Sequence, residues 1–176
     1  HFSDKEGSRF ETAEDIGAFL NRLQHHGYPT PILDWTSSPW VAAFFAFRSP
    51  TEGSSDKTRI FLFNFERWEA DMPQFPFVSR VPIHLSHLRL GAARNRRAGP
   101  QMAKTLLTNV DDIEGYIQWH EMQRDRVYLL AVDLPHSERP QVLSDLQRMN
   151  ISPNILFPDS EDAVCESLRN LRFYTR

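Results

Sequence analysis

The sequence predicts an α+β domain in which helices flank a small mixed β-sheet. Residues 59–65 (RIFLFNF) alternate apolar side chains in strand fashion, and residues 126–134 (RVYLLAVDL) read as a second, mostly buried strand. The run PWVAAFFAF behind Ser38 is apolar almost all the way round, which suits a buried helix.

Taken in order, Thr12, Ile16, Phe19, Leu20 and Leu23 share one face of a first helix, with Thr12 and Asp15 suited to its start. Gly27 supplies the left-handed exit. Pro29 and Pro31 exclude helix, so residues 32–35 are expected to enter the interior as a short strand carrying Asp34. Ser38 is an N-cap and Pro39 the first helical residue of the apolar helix. Residues 52–57 (EGSSDK) form a polar loop, and the proline-bearing stretch 73–82 is expected to be the most flexible. A third strand spans 102–108. Residues 111–123 are helical, with Ile113, Tyr116, Ile117 and His120 on one face, and helices over 137–149 and 159–172 begin at cap-like Ser and Asp residues.

With 176 residues, 40% of them hydrophobic and 12% aromatic, the chain is expected to form a single domain over residues 1–176. No apolar run approaches the roughly 20 residues that span a bilayer, and no leader opens the chain, so a cytoplasmic protein without membrane partners is expected. Cys165 is the single cysteine, which excludes an internal disulfide and Cys-based zinc sites; with Val164, Leu168 and Leu171 it reads as core. His25 and His26 point to different faces of a helix end, His120-Glu121 lacks the second His of a zincin helix, and the acidic turn 159–162 complements a helix dipole. No metal site is expected. No Gly-rich phosphate loop occurs, which argues against a P-loop triphosphatase or a Rossmann dehydrogenase.

The net charge of −3 is unevenly laid out. Residues 72–110 hold no Asp or Glu but carry Arg80, Arg89, Arg94, Arg96, Arg97 and Lys104, so this segment is +6 and the remainder of the −3 chain is −9. Arg outnumbers Lys 17 to 3, and the planar guanidinium suits phosphate. The basic segment therefore suits an anionic ligand or a nucleic acid, or else pairs with the acids Asp111, Asp112 and Glu114 or with those of the C-terminal helix.

Chemistry concentrates in residues 23–47, where Gln, two His, Asp, Trp, Thr and two Ser sit between apolar runs. Thr36, Ser37 and Ser38 place hydroxyls and free N–H groups at a helix N-terminus, an arrangement that serves an anion or simple capping. Asp34, flanked by Trp35 and these hydroxyls, is a reactive carboxylate or a structural one bonded to His25, His26 or backbone.

This block, LQHHGYPTPILDWTSSPWVAAFFAF, resembles the hallmark of the FRG domain family, close to LQHxGxPTxLLDWTxSPxxAxxFA. NRRAGPQMAKTLLT resembles in altered form the family's Arg and Gln-Gly-x-Phe strand, and NISPNILFPDSEDAVCESL its Leu-Phe-Pro-Asp segment and closing helix. The Phe-Arg-Gly tripeptide that names the family is absent, Pro31 stands where Arg is frequent, and Gly99-Pro100-Gln101 replaces Gln-Gln-Gly. With 22 residues before Leu23, the chain is expected to be N-terminally incomplete.

The family is in turn similar to the ADP-ribosyltransferase superfamily, and that resemblance implies an ADP-ribosyltransferase-like fold and NAD as substrate. It implies that Thr36, Ser37 and Ser38 brace the nicotinamide side, that Gln24, His25 and Trp35 support the cofactor, and that Arg97 and Gln101 meet phosphate or ribose. Gln101 or a neighbour would stand at the catalytic Glu. Gln holds hydroxyls but supplies no charge to an oxocarbenium-like state, so the carboxylate must come from elsewhere, with Asp34 the best internal substitute, or the nucleotide is bound without cleavage. The resulting expectation is an NAD-dependent ADP-ribosyltransferase-like enzyme or NAD glycohydrolase, with Asp34, Ser37 and Gln101 as catalytic candidates and a bacterial toxin or phage-defence role implied by resemblance. A catalytically silent module that binds a nucleotide, nucleic acid or partner protein through the Arg-rich segment is the competing expectation. A third is that the QHHGYPTPILDW segment is only a hydrogen-bonded core signature.

Overall fold

In a computed structural model, the described residues are 13–48, 56–75, 82–88 and 96–173. The elements are α1 (Ala13–His25), β1 (Ile32–Thr36), α2 (Pro39–Arg48), β2 (Lys57–Phe63), α3 (Phe65–Asp71), β3 (Leu85–Leu88), β4 (Ala103–Thr108), α4 (Ile113–Arg124), β5 (Leu129–Pro135), a 3-10 turn (His136–Glu138), α5 (Arg139–Arg148), α6 (Pro153–Leu156) and α7 (Glu161–Phe173). The α+β expectation holds.

The expected mixed sheet resolves into two antiparallel ones. The three-stranded sheet has the order β1-β4-β3, and β2 pairs with β5 from Lys57 opposite Pro135 to Phe63 opposite Leu129. Leu85 to Leu88 pair antiparallel with Thr108 to Thr105. Thr108 N–H bonds to Pro31 O and Ser37 N–H to Met102 O, so β1 also runs opposite to β4.

The chain forms two compact units, each discontinuous in sequence: His1–Asp34, Asn64–Arg94 and Lys104–Tyr128 in the first, and Trp35–Phe63, Asn95–Ala103 and Leu129–Arg176 in the second. In the first unit, buried Ile32, Leu88 and Leu107 pack with Leu20. Trp68 is buried, donates its Nε1–H to Leu85 O at 2.7 Å, and meets the rings of Tyr116, His120 and Tyr128 edge-on. In the second unit, Val41 and Phe44 of α2 join Leu146 of α5 and Leu156 of α6 in one core. Arg139 closes the end of α2, donating to Phe47 O and Arg48 O at 2.8 and 2.9 Å.

Several expectations are corrected. β2 ends at Phe63 because the Asn64 side chain accepts from Arg67 N–H, capping α3 where strand alternation had been expected to continue. β5 starts later than expected and is largely exposed, having one partner strand. α2 buries Val41, Phe44 and Phe47 along one stripe and leaves Trp40 and Phe45 exposed. Cys165 is exposed, as are Val164 and Leu168. Strand β3 and helices α3 and α6 had no counterpart among the expected elements. Thr12, Arg80, Arg89, Arg94, most of the 52–57 loop and residues 76–81 of the proline stretch lie outside the described residues. Among the described residues, no helix is long and apolar enough to cross a membrane.

Candidate functional site

In the first unit, the end of α1 is a two-bond C-cap. Tyr28 N–H reaches Leu23 O at 3.0 Å, Gly27 N–H reaches Gln24 O at 2.9 Å, and Gly27 has φ +79°. The chain then returns along β1, which brings Asp34 and Thr30 to the Gln24 side chain. Gln24 Nε2 donates to Asp34 Oδ2 at 2.9 Å, and Thr30 Oγ1 donates to Gln24 Oε1 at 2.9 Å. The amide orientation follows from chemistry: an ionised Asp34 only accepts, so the NH₂ of Gln24 faces it and Oε1 is left for the Thr30 hydroxyl. Asp34 itself is exposed. The side chain of His25 lies outside what is described, and His26 is exposed.

In the second unit, the three expected hydroxyls are tied to backbone. Thr36 Oγ1 donates to Gln101 O at 2.7 Å and accepts from Ser38 N–H at 3.1 Å. Ser37 N–H and Oγ both donate to Met102 O, at 3.0 and 3.3 Å. Ser38 Oγ accepts from Val41 N–H at 3.3 Å, the capping bond that its place before Pro39 predicts. Trp35 lies against Phe63, ring centroids 5.7 Å apart.

The other side of the 96–102 turn is held as well. Gln101 Nε2 donates to Leu156 O at 2.9 Å. Arg97 grips Asp159 with Nε and Nη2 at 2.8 and 3.1 Å, and its guanidinium carbon stands 5.4 Å from the Phe157 ring centroid. The hydrogen bond from Arg97 is the main cause that keeps the Asp159 carboxyl below the usual range. Met102, at the end of this turn, has φ +47° although it carries a side chain. The strained residue is thus itself the one whose carbonyl holds Ser37. Of the expected catalytic and cofactor residues, Gln24 and Asp34 are brought together in the first unit, and Thr36, Ser37 and Gln101 in the second, where Arg97 is drawn to Asp159.

Residues 2–55 match the family model of the FRG domain. The FRG match contains the whole 23–47 block, so the expected resemblance holds over that span; the blocks at 95–108 and 150–168 fall outside it. No curated protein and no solved structure matches the chain.

Inside the FRG segment, Arg48 is a residue that sequence reasoning passed over. It binds Glu166 through Nε and Nη2, the latter at 2.6 Å, and stands 4.5 Å from the Phe157 ring centroid. Two arginines therefore approach one phenylalanine, each paired with a carboxylate. Acids of the C-terminal helix had been offered as arginine partners without specific pairs, and pairings 62 and 118 residues apart leave no local signal that would single out Asp159 and Glu166. Among the described residues, no group of three or more His, Cys, Asp or Glu is placed to hold a metal ion.

Proposed function

We propose that the chain is an NAD-binding, ADP-ribosyltransferase-like domain that cleaves the nicotinamide–ribose bond, as a transferase or as an NAD glycohydrolase, with Asp34 as its carboxylate. The observation that carries this reading is the Thr30–Gln24–Asp34 relay, which fixes one oxygen of an exposed carboxylate within the FRG segment. In the reaction the C1′–N bond breaks, nicotinamide leaves with the bonding pair, and positive charge grows on the ribose. A water or a target nucleophile then adds to C1′ and gives up its proton. A carboxylate held in advance stabilises that charge more than it stabilises the ground state. Gln101 has no charge to offer and its amide is engaged by Leu156 O, so the role falls to Asp34. A bacterial toxin or phage-defence effector acting in the cytoplasm is part of the same proposal and rests on the resemblance alone.

The engagement of Thr36, Ser37 and Ser38 with backbone favours a second reading, a domain that binds a nucleotide, nucleic acid or protein without cleaving it. NAD consumption, followed as nicotinamide and ADP-ribose by chromatography, separates the two. An enzyme turns NAD over and loses turnover on Asp34→Ala while staying folded. A nucleic-acid module leaves NAD intact and binds with a steep salt dependence that Arg96/Arg97→Ala reduces.

A further inference from the structure

His84, outside the proposed site, is 2% exposed, and its Nε2 has no hydrogen-bond partner among the described residues. His84 N–H donates to Asn109 Oδ1 at 2.8 Å, His84 O accepts from Thr108 Oγ1 at 2.9 Å, and Nδ1 lies 3.1 Å from Pro82 O. Pro82 O also accepts from Asn109 Nδ2 at 3.0 Å. A carbonyl oxygen only accepts, so Nδ1 carries a proton, and in that tautomer of the imidazole Nε2 is the acceptor. The Phe75 ring, 5.4 Å away between centroids, covers the imidazole on an apolar side.

A buried nitrogen left without a donor is costly, and native proteins satisfy such groups with an ordered water when the chain does not. We propose that Nε2 of His84 is a binding site for one buried water in the first unit, which donates to it. The ring is oriented for this by the Pro82–Asn109 knot, which fixes the tautomer in the same way as the outer hydrogen bond of a ligating histidine does.

Long-range proton–nitrogen NMR of the imidazole in the full chain tests this directly. The expected result is the Nδ1–H tautomer for His84, an Nε2 shift displaced toward the hydrogen-bonded value, and a cross-relaxation peak from its ring protons to a long-lived water. His84→Phe loses that peak. An Nε2–H tautomer, a lone pair with a free shift and no water peak, or a peak to a chain hydroxyl or amide instead of water would each overturn the proposal in the wild-type protein, whatever the variant does.

Discussion

Gln24 holds Asp34 and Thr30 on the two ends of one amide, with Nε2 2.9 Å from the carboxylate and Oε1 2.9 Å from the hydroxyl. Replacing Gln24 with Leu removes both bonds. At about 0.5–1.5 kcal/mol each, the loss is about 1–3 kcal/mol, read as a lower urea midpoint at constant m. Thr30→Val, which keeps the Asp34 bond, is expected to show about half that change.

Met102 adopts φ +47° and its side chain is exposed, so the backbone is strained with no packing gained in return. Glycine relieves roughly 1–2 kcal/mol of left-handed strain and gives back about 0.4–1 kcal/mol through greater freedom of the unfolded chain. Met102→Gly is therefore expected to raise the melting temperature, whereas Gly27→Ala lowers it: at φ +79° the cost lies in the backbone, since an added Cβ meets nothing within 4 Å.

Arg139 donates through Nε and Nη2 to the last carbonyls of α2, at 2.8 and 2.9 Å. Arg139→Ala is expected to cost about 1.5–3 kcal/mol by chemical denaturation, as for bonds from a charged donor. Arg139→Lys rescues little of it, because an ammonium lacks the two-pronged geometry.

Asp159 is held below the ordinary carboxylate range by its hydrogen bond from Arg97. Because the folded value lies below the unfolded one of about 3.9, the unfolded chain binds more protons in between. The pair's contribution is present above about pH 4 and fades as pH falls through the folded value. It is small, since the Asp159 side chain is 39% exposed and screened by solvent. A carbon-detected carboxyl titration should place Asp159 low in the wild type and near its ordinary value in Arg97→Ala.

The local signals were legible because they act within one turn. Gly27 after an apolar stripe ends α1, Ser38-Pro39 starts α2, and Pro29 with Pro31 turns the chain into β1. Asn64 was misjudged because the alternation of RIFLFNF runs on past the residue whose side chain caps α3. β3 has four residues, two of them polar, and is made a strand by its pairing with β4, which a short window does not contain. Asp34 and Gln24 stood out within the long FRG-like block, but the relay through Thr30 needed the chain to return on itself. The bonds of the 96–102 turn were hidden for a similar reason: the partners of Arg97 and Gln101, at Asp159 and Leu156, lie more than 50 residues along the chain.

Whether Asp34 is the carboxylate of an NAD-cleaving site is decided by NAD consumption of the full chain measured against Asp34→Asn. The variant keeps the side-chain shape and removes the charge. Nicotinamide release by the wild type, falling by about 10²-fold or more in a folded variant with the same melting temperature, is the predicted result. Equal turnover in the two proteins would remove Asp34 from the chemistry, and neither turnover nor NAD binding by the folded wild type would exclude an NAD-cleaving site.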